Sequence, residues 1–568
     1  MNKRATQKVE YDLKSTQLPY LSGWLLRLFV TLSESPLRHL LIPILLRKAG
    51  ITWLRKQRID EPPTLYPIAY NRPSTSEPKR ISEEGLTYQS AGLKAGFHFN
   101  TVHDYASAYR EGKTTPLETA HRVLEAIEAS DTISKPLRAF IAVNCEDVLK
   151  QAETATKRIK NGQGLGDFDG VPVAVKDQLD MVPYPTTVGT TFLGTSAASE
   201  DSTVVARLRA AGALLIGKTN MHEIGMGVTG LNPHHGIARN PYNPDCYAGG
   251  SSSGSGVAIA AGICPATIGA DGGGSIRIPA SFCGLVGLKP SFGRVSQFRA
   301  ARLGWSVDHL GILAATATDA ALTYAIVSGP DRKDPMSLYQ PAPTLSGWNN
   351  LDLTDLTMGV YWPWFRHARA DTVSTCEALL QGLENMGAKV REIAVPELEA
   401  GRVAHAVTIA AEMSQVVERH SAEYRRNYGL DVRINLALAG GFDAHDYIQA
   451  QRVRTRMIAN FNRILEQVDV IITPTTGLPA PTIAKAALAH GDFDMTTLFK
   501  IMRFVTPANL TGLPAISFPA GYNDARLPIG IQAIGRSWQE HTLLRLALAG
   551  DKIVKRIVPE VFYNTLKD

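Results

Sequence analysis

Leu21, Trp24, Leu25, Leu28, Phe29 and Leu32 recur at spacings of three and four, which predicts a helix carrying one apolar stripe. Ser35-Pro36 breaks it, and a second apolar segment follows, LRHLLIPILLRKAGITWLRK. Neither piece reaches the roughly 18 to 20 uncharged apolar residues of a spanning helix, because Arg27, Arg38 and Arg47 interrupt them and Pro43 sits inside the second. The pair reads either as a helix hairpin packed on a core or on a partner protomer, or as an interfacial membrane element within residues 18–57. Arg38, Arg47, Lys48, Arg55, Lys56 and Arg58, with no acidic residue until Asp60, support the second reading. From Asp60 to about Leu93 the chain is rich in Pro, Ser, Glu and Tyr and reads as an irregular surface linker.

From about Phe97 the pattern alternates. HDYASAYR is helix-like, Thr115-Pro116 offers a cap and a first-turn proline, and LRAFIAVN is strand-like. GVPVAVKD, residues 170–177, is a short apolar strand, VVARLRAAG an amphipathic helix stopped by Gly212, and ALLIGKTN the next strand. VDVIITPTT, FVTPANLTGLPAISFPAGY and LPIGIQAIG read as further buried strands. The expected fold class is α/β, with a large mixed, mostly parallel twisted sheet covered by helices. An N-terminal helical arm, residues 1–96, precedes one catalytic domain, residues 97–568.

Composition narrows the class without changing the fold. A net charge of +6 over 568 residues is small, and no basic block with interleaved aromatics is present, which argues against a nucleic-acid partner. Five scattered cysteines without a C-x-x-C pair read as reduced thiols of an intracellular protein, not as a disulfide frame or metal site. The opening residues are too long and too acidic for the n-region of a cleaved signal peptide.

The chemistry concentrates between Ala248 and Gly293, where two glycine-dense turns flank an apolar run and both present serines. Such turns bring several main-chain N–H groups to one oxygen atom, as an oxyanion hole requires. GSSSG at 250–254 matches G-x-S-x-G literally, yet it follows a loop and not the buried strand of a nucleophile elbow. His222-Glu223 has Met226, not histidine, four residues on, so it is not a zinc helix. The remaining base is a lysine. Lys176 ends an apolar strand, where burial can lower its pKa until it accepts a proton.

GGSSSGSG, then GADGGGSIRIPASFCGLVGLKPSFGRVS, with GVPVAVKD upstream, resembles the amidase signature family of serine hydrolases. The resemblance spans about residues 97–565 and implies a Ser-cisSer-Lys triad. By position it makes Lys176 the base, Ser251 the bridging serine after a cis peptide, and Ser275 the nucleophile. It also implies an oxyanion hole from the amides of Gly272, Gly273, Gly274 and Ser275, supported by Ser252, Asp271 and Arg277. No cofactor or metal is implied.

The front end, LPYLSGWLLRLFVTLSESPL, with EPPTLYP, RNPYNPDCYAGGSSSGSG and ITPTTGLPAP, is similar to the plant-type fatty acid amide hydrolases. That similarity implies N-acylethanolamine substrates, N-terminal helices forming a lipid-entry cap, peripheral membrane contact and a homodimer. The loop MHEIGMGVTG is the candidate acyl-channel lining, with Met226 flexible enough for varied chains. Two other readings stand beside this one: a soluble amidase acting on aryl amides, carbamates or peptide amides, and the A-type component of a tRNA-dependent amidotransferase.

Overall fold

The computed structural model describes residues 10–15, 20–69 and 96–566. Its centre is one eleven-stranded sheet. In chain order the strands are β1 (Phe140–Ala142), β2 (Pro172–Lys176), β3 (Leu214–Thr219), β4 (Ala266–Asp271), β5 (Val286–Lys289) and β6 (His309–Ala314). They continue with β7 (Thr357–Val360), β8 (Lys389–Glu392), β9 (Val470–Pro474), β10 (Ala515–Tyr522) and β11 (Pro528–Gly535). Across the sheet the order is β8-β7-β9-β11-β10-β5-β6-β4-β2-β3-β1.

The large mixed sheet under helices is as the sequence predicts, but its balance of directions is not. Six neighbouring pairs are antiparallel and four parallel. Helices cover both faces, so an antiparallel strand here reads as the same uninterrupted apolar run as a parallel one. The short link 523–527 between β10 and β11 also forces those two strands antiparallel. The first part of the expected strand 504–522 is instead the short helix Thr506–Thr511, which Gly512 ends in a left-handed conformation.

Alternate residues serve two cores. Val173 and Val175 pack with the helices Thr203–Ala210, Ala317–Val327 and Glu540–Ile553, whereas Ala174 packs with the helices Pro116–Thr132 and Ser253–Ala260. The expected cap is present: Thr115 accepts from the Glu118 amide while Glu118 holds the Thr115 amide.

The arm's helices Gly23–Glu34 and Arg38–Ala49 form a bend of 109°, and among the described residues no single helix is long and apolar enough to cross a membrane. The first helix buries Leu26, Val30 and Ser33. Of the stripe read from the sequence, Trp24, Leu25 and Leu28 are exposed, Trp24 by 71%. This helix is apolar on more than one side, and periodicity does not choose which side meets the core. The second helix turns Ile42 and Leu46 inward beside the helix Leu430–Ala439 and Gly441, into the core shared by the helices Leu398–Tyr424 and Ala444–Leu465. A two-residue pairing, Leu21–Ser22 with Asp492–Phe493, and bidentate contacts of Arg433 with Glu34 and Arg55 with Asp446 tie the arm down. The linker's start runs over the last of these helices through Glu61–Arg456, and most of it, 70–95, lies outside the described residues.

Candidate active site

β2 and β4 are parallel neighbours, with Val175 opposite Ile268, so both strands deliver their C-terminal ends to one edge of the sheet. Lys176 is the last residue of β2, and Asp271 ends β4 just ahead of the glycine turn that carries Ser275. The bridging position comes from the turn before the helix Ser253–Ala260, where the Gly250–Ser251 peptide is cis. Three segments distant in sequence thus meet at one point.

Lys176 is buried, and its Nζ donates to Ser251 Oγ at 2.8 Å and to the Ala270 carbonyl at 3.4 Å. Burial brings its pKa down to about 8, against the opposing charges of Asp308 and Asp271, which favour the ammonium form. Ser252 Oγ sits beside it and bridges both the carbonyl and the amide of Ala270, fixing the turn to β4. Ser275 lines an apolar cavity of about 160 Å³, and among the described residues its hydroxyl has no hydrogen-bond partner. The Ser251 to Ser275 link of the expected relay is therefore open in this structure.

Asp271 organises the turn. Its carboxylate accepts from the amides of Gly274 (2.6 Å), Ile276 and Arg277, from Asn509 Nδ2 and from the Arg277 guanidinium at 3.0 Å. Burial works to raise its pKa, but Arg277 outweighs that and holds the carboxyl well below the usual range. Arg277 in turn reaches the Val505 carbonyl, Gln532 and Asn509, so the pair anchors the loop to the C-terminal half of the domain.

The oxyanion expectation changes in one residue. The Gly274 amide is taken by Asp271, whereas the amides of Gly272, Gly273 and Ser275 have no partner among the described residues. Glycine is required there by space: a Cβ on Gly272 would strike Asp308 Oδ1, and one on Gly273 would lie 2.9 Å from His405 Cε1.

Two side chains of this centre were not read from the sequence. His405 Nε2 donates to the Gly272 carbonyl at 2.8 Å and, with its pKa brought down to about 4 by burial, stays neutral. Asp308 is buried, which raises its pKa to about 6, and it accepts from the Gly304 amide at 3.1 Å. Both come from segments with no motif of their own, and only the fold brings them to the glycine turn. Met226 does line the cavity with Ser275, together with Ile409, Met413, Leu438 and Met495. Ala49 and Ile51 of the arm form part of its wall.

The Amidase family model matches residues 122–544. A fatty acid amide hydrolase of Medicago truncatula is 38% identical over 98% of this chain and 97% of that protein. Another, from Arabidopsis thaliana, is 38% identical over the same shares of the two chains. Among solved structures, the peptide amidase of Stenotrophomonas maltophilia superposes with a TM-score of 0.71 at 25% identity, covering 84% of this chain and 99% of that one.

Proposed function

This chain belongs to the amidase family and is an amide hydrolase, and from that premise we propose that it cleaves fatty acid amides, N-acylethanolamines among them, to free fatty acid and amine. The observation that carries the reading is that Ser275 opens into an apolar cavity that the arm helps to line. Each buried CH₂ of an acyl chain is worth about 0.8 kcal/mol there.

In this mechanism neutral Lys176 takes a proton from Ser251, Ser251 takes one from Ser275, and the Ser275 oxygen attacks the amide carbonyl. The amides of Gly272, Gly273 and Ser275 receive the oxyanion. The C–N bond breaks as the proton on Lys176 returns through Ser251 to the departing amine, which would otherwise leave as a poor anion. Water, deprotonated by the same relay, then releases the acid from Ser275. The 2.8 Å contact of Lys176 with Ser251 and the lowered lysine pKa support the first step.

The reading includes an intracellular protein with peripheral membrane contact through residues 18–57, and a homodimer. Supporting the membrane contact are the exposed Trp24, Leu25, Leu28, Leu37, Leu40 and Ile44, flanked by Arg38, Arg47 and Lys48. Resemblance alone supports the dimer. Hydrolysis of N-acylethanolamines from short to long chain, beside an aryl amide, tests the substrate: efficiency should climb steeply with acyl length. A flat profile with the aryl amide preferred would discard the lipid substrate and keep the relay. Removal of residues 1–57 should cut binding to vesicles, and undiminished binding would return the arm to a purely packing role.

A further inference from the structure

The unpartnered amides of Gly272, Gly273 and Ser275 each share a peptide unit with the carbonyl of the residue before. The turn's peptides are trans, so each C=O points away from the N–H that follows it, and whatever holds the carbonyl aims the amide. All three carbonyls are held. The Asp271 carbonyl, behind the Gly272 amide, accepts from Asn509 Nδ2 at 2.8 Å. The Gly274 carbonyl, behind the Ser275 amide, accepts from the Ile278 amide at 2.7 Å. The Gly272 carbonyl, behind the Gly273 amide, accepts from His405 Nε2 at 2.8 Å.

The three holds are not equivalent. Main chain of the following helical turn supplies the one on Gly274, and Asp271 is fixed besides by its place at the end of β4. The Gly272–Gly273 peptide stands between two residues without a Cβ, so it can rotate at little steric cost, and His405 is its carbonyl's one partner among the described residues. Of the residues that carry the three free amides, Gly273 and Ser275 line the apolar cavity. His405 is itself fixed. It is buried on the long helix Leu398–Tyr424, and its ring fills the space where a side chain on Gly273 would stand.

We propose that His405 is a positioning residue for amide hydrolysis: through the Gly272 carbonyl it holds the Gly273 amide toward the oxyanion that develops on the substrate. The assignment rests on the reading of that amide as an oxyanion donor. Donation to the carbonyl also draws electron density onto its oxygen and leaves the Gly273 N–H a stronger donor. Set in place before the reaction, the amide needs no reorientation as charge appears. The ring acts as a donor and not as a base, because its Nε2 proton is committed to an oxygen that can only accept. Since burial brings the His405 pKa down to about 4 and that of Lys176 to about 8, the ring is neutral wherever the lysine is.

Three variants of the full chain separate holding from packing. His405→Gln keeps an N–H donor at the reach of Nε2, His405→Asn keeps the amide one bond short, and His405→Leu keeps bulk without a donor. With the amide that the parent hydrolyses best, kcat should fall about 10²-fold in the Leu and Asn variants at little changed KM, the lower end of the cost of removing one oxyanion donor. His405→Gln should recover most of that loss. A second readout is affinity for a trifluoromethyl ketone with the same acyl group, which becomes an oxyanion on Ser275, beside the matching secondary alcohol, which does not. Binding of the ketone should weaken in step with kcat/KM while the alcohol binds as before. Thermal melting checks folding, and if His405→Leu does not fold, Asn against Gln decides. Parent-like kcat in the folded Leu or Asn variant, or a loss that falls on KM and on both inhibitors alike, overturns the role of His405 alone. A parent that does not prefer the ketone overturns the oxyanion reading beneath it as well.

Discussion

Lys176 and Lys218 stand on adjacent parallel strands, Val175 opposite Lys218 and Lys176 opposite Thr219, and both are buried. Their surroundings differ. Lys218 Nζ reaches the Leu179 carbonyl at 2.7 Å, the Pro185 carbonyl and Thr186 Oγ1 at 3.0 Å, and Asp177 at 3.1 Å. Lys176 has a serine hydroxyl and one long carbonyl contact, and its nearest influential carboxylates act at a distance. Burial lowers the pKa of both, yet Lys218 is paired with Asp177 and its hydroxyl neighbour Thr186 donates to the Leu179 carbonyl, whereas the hydroxyl beside Lys176 is that of Ser251. A buried lysine is an anchor or a base according to its partners, not its depth.

That contrast can be broken at several points. Ser275→Ala sets the ceiling: it should abolish acyl-enzyme detectable by mass spectrometry and lower kcat by about 10³-fold or more, and turnover at the parent rate would remove Ser275 as nucleophile. Lys176→Ala should slow amides by about 10²- to 10⁴-fold while sparing activated esters, whose leaving groups need no returned proton. Equal losses on both substrates would argue against the relay. Lys218→Met should do the opposite. It leaves Asp177 buried opposite an apolar side chain and should cost about 3 to 5 kcal/mol in denaturant unfolding, with the pH dependence of the remaining activity unmoved. A shifted profile would make Lys218 part of the chemistry.

The finest distinction lies in pH. Only neutral Lys176 accepts a proton, so kcat/KM should rise with pH through about 8 to a plateau. Asp308 favours the charged lysine, so Asp308→Asn should move that limb toward lower pH. A limb displaced upward would contradict the assigned sign.

The same contrast marks what the residues disclosed. Lys176, Ser251 and Ser275 stood out in the sequence because each sits beside glycines or at a strand end, in a pattern that few other chemistries require. The three segments do meet, and Asp271 and Arg277 do hold the turn. That the Gly274 amide donates to Asp271 was not legible, because an amide count along a loop does not reveal which amide the Asp271 carboxylate takes. His405 and Asp308 left no local trace, since a residue 133 positions from its partner is brought there only by the fold. Strand directions were obscured by cover on both sheet faces, and the arm's buried side by apolar residues all round its first helix.

The arm's place in the cavity wall bears on how the protein is made. Ala49 and Ile51 face the space in front of Ser275, and Arg55 finds Asp446 across 391 positions of chain. The arm precedes residues 398–465 in the chain, so its apolar side chains leave the ribosome hundreds of residues before the helices that receive them. A segment made early is therefore among the last to reach its seat. Until residues 398–465 have folded, the enzyme has its serines and its lysine but not the apolar wall in front of them.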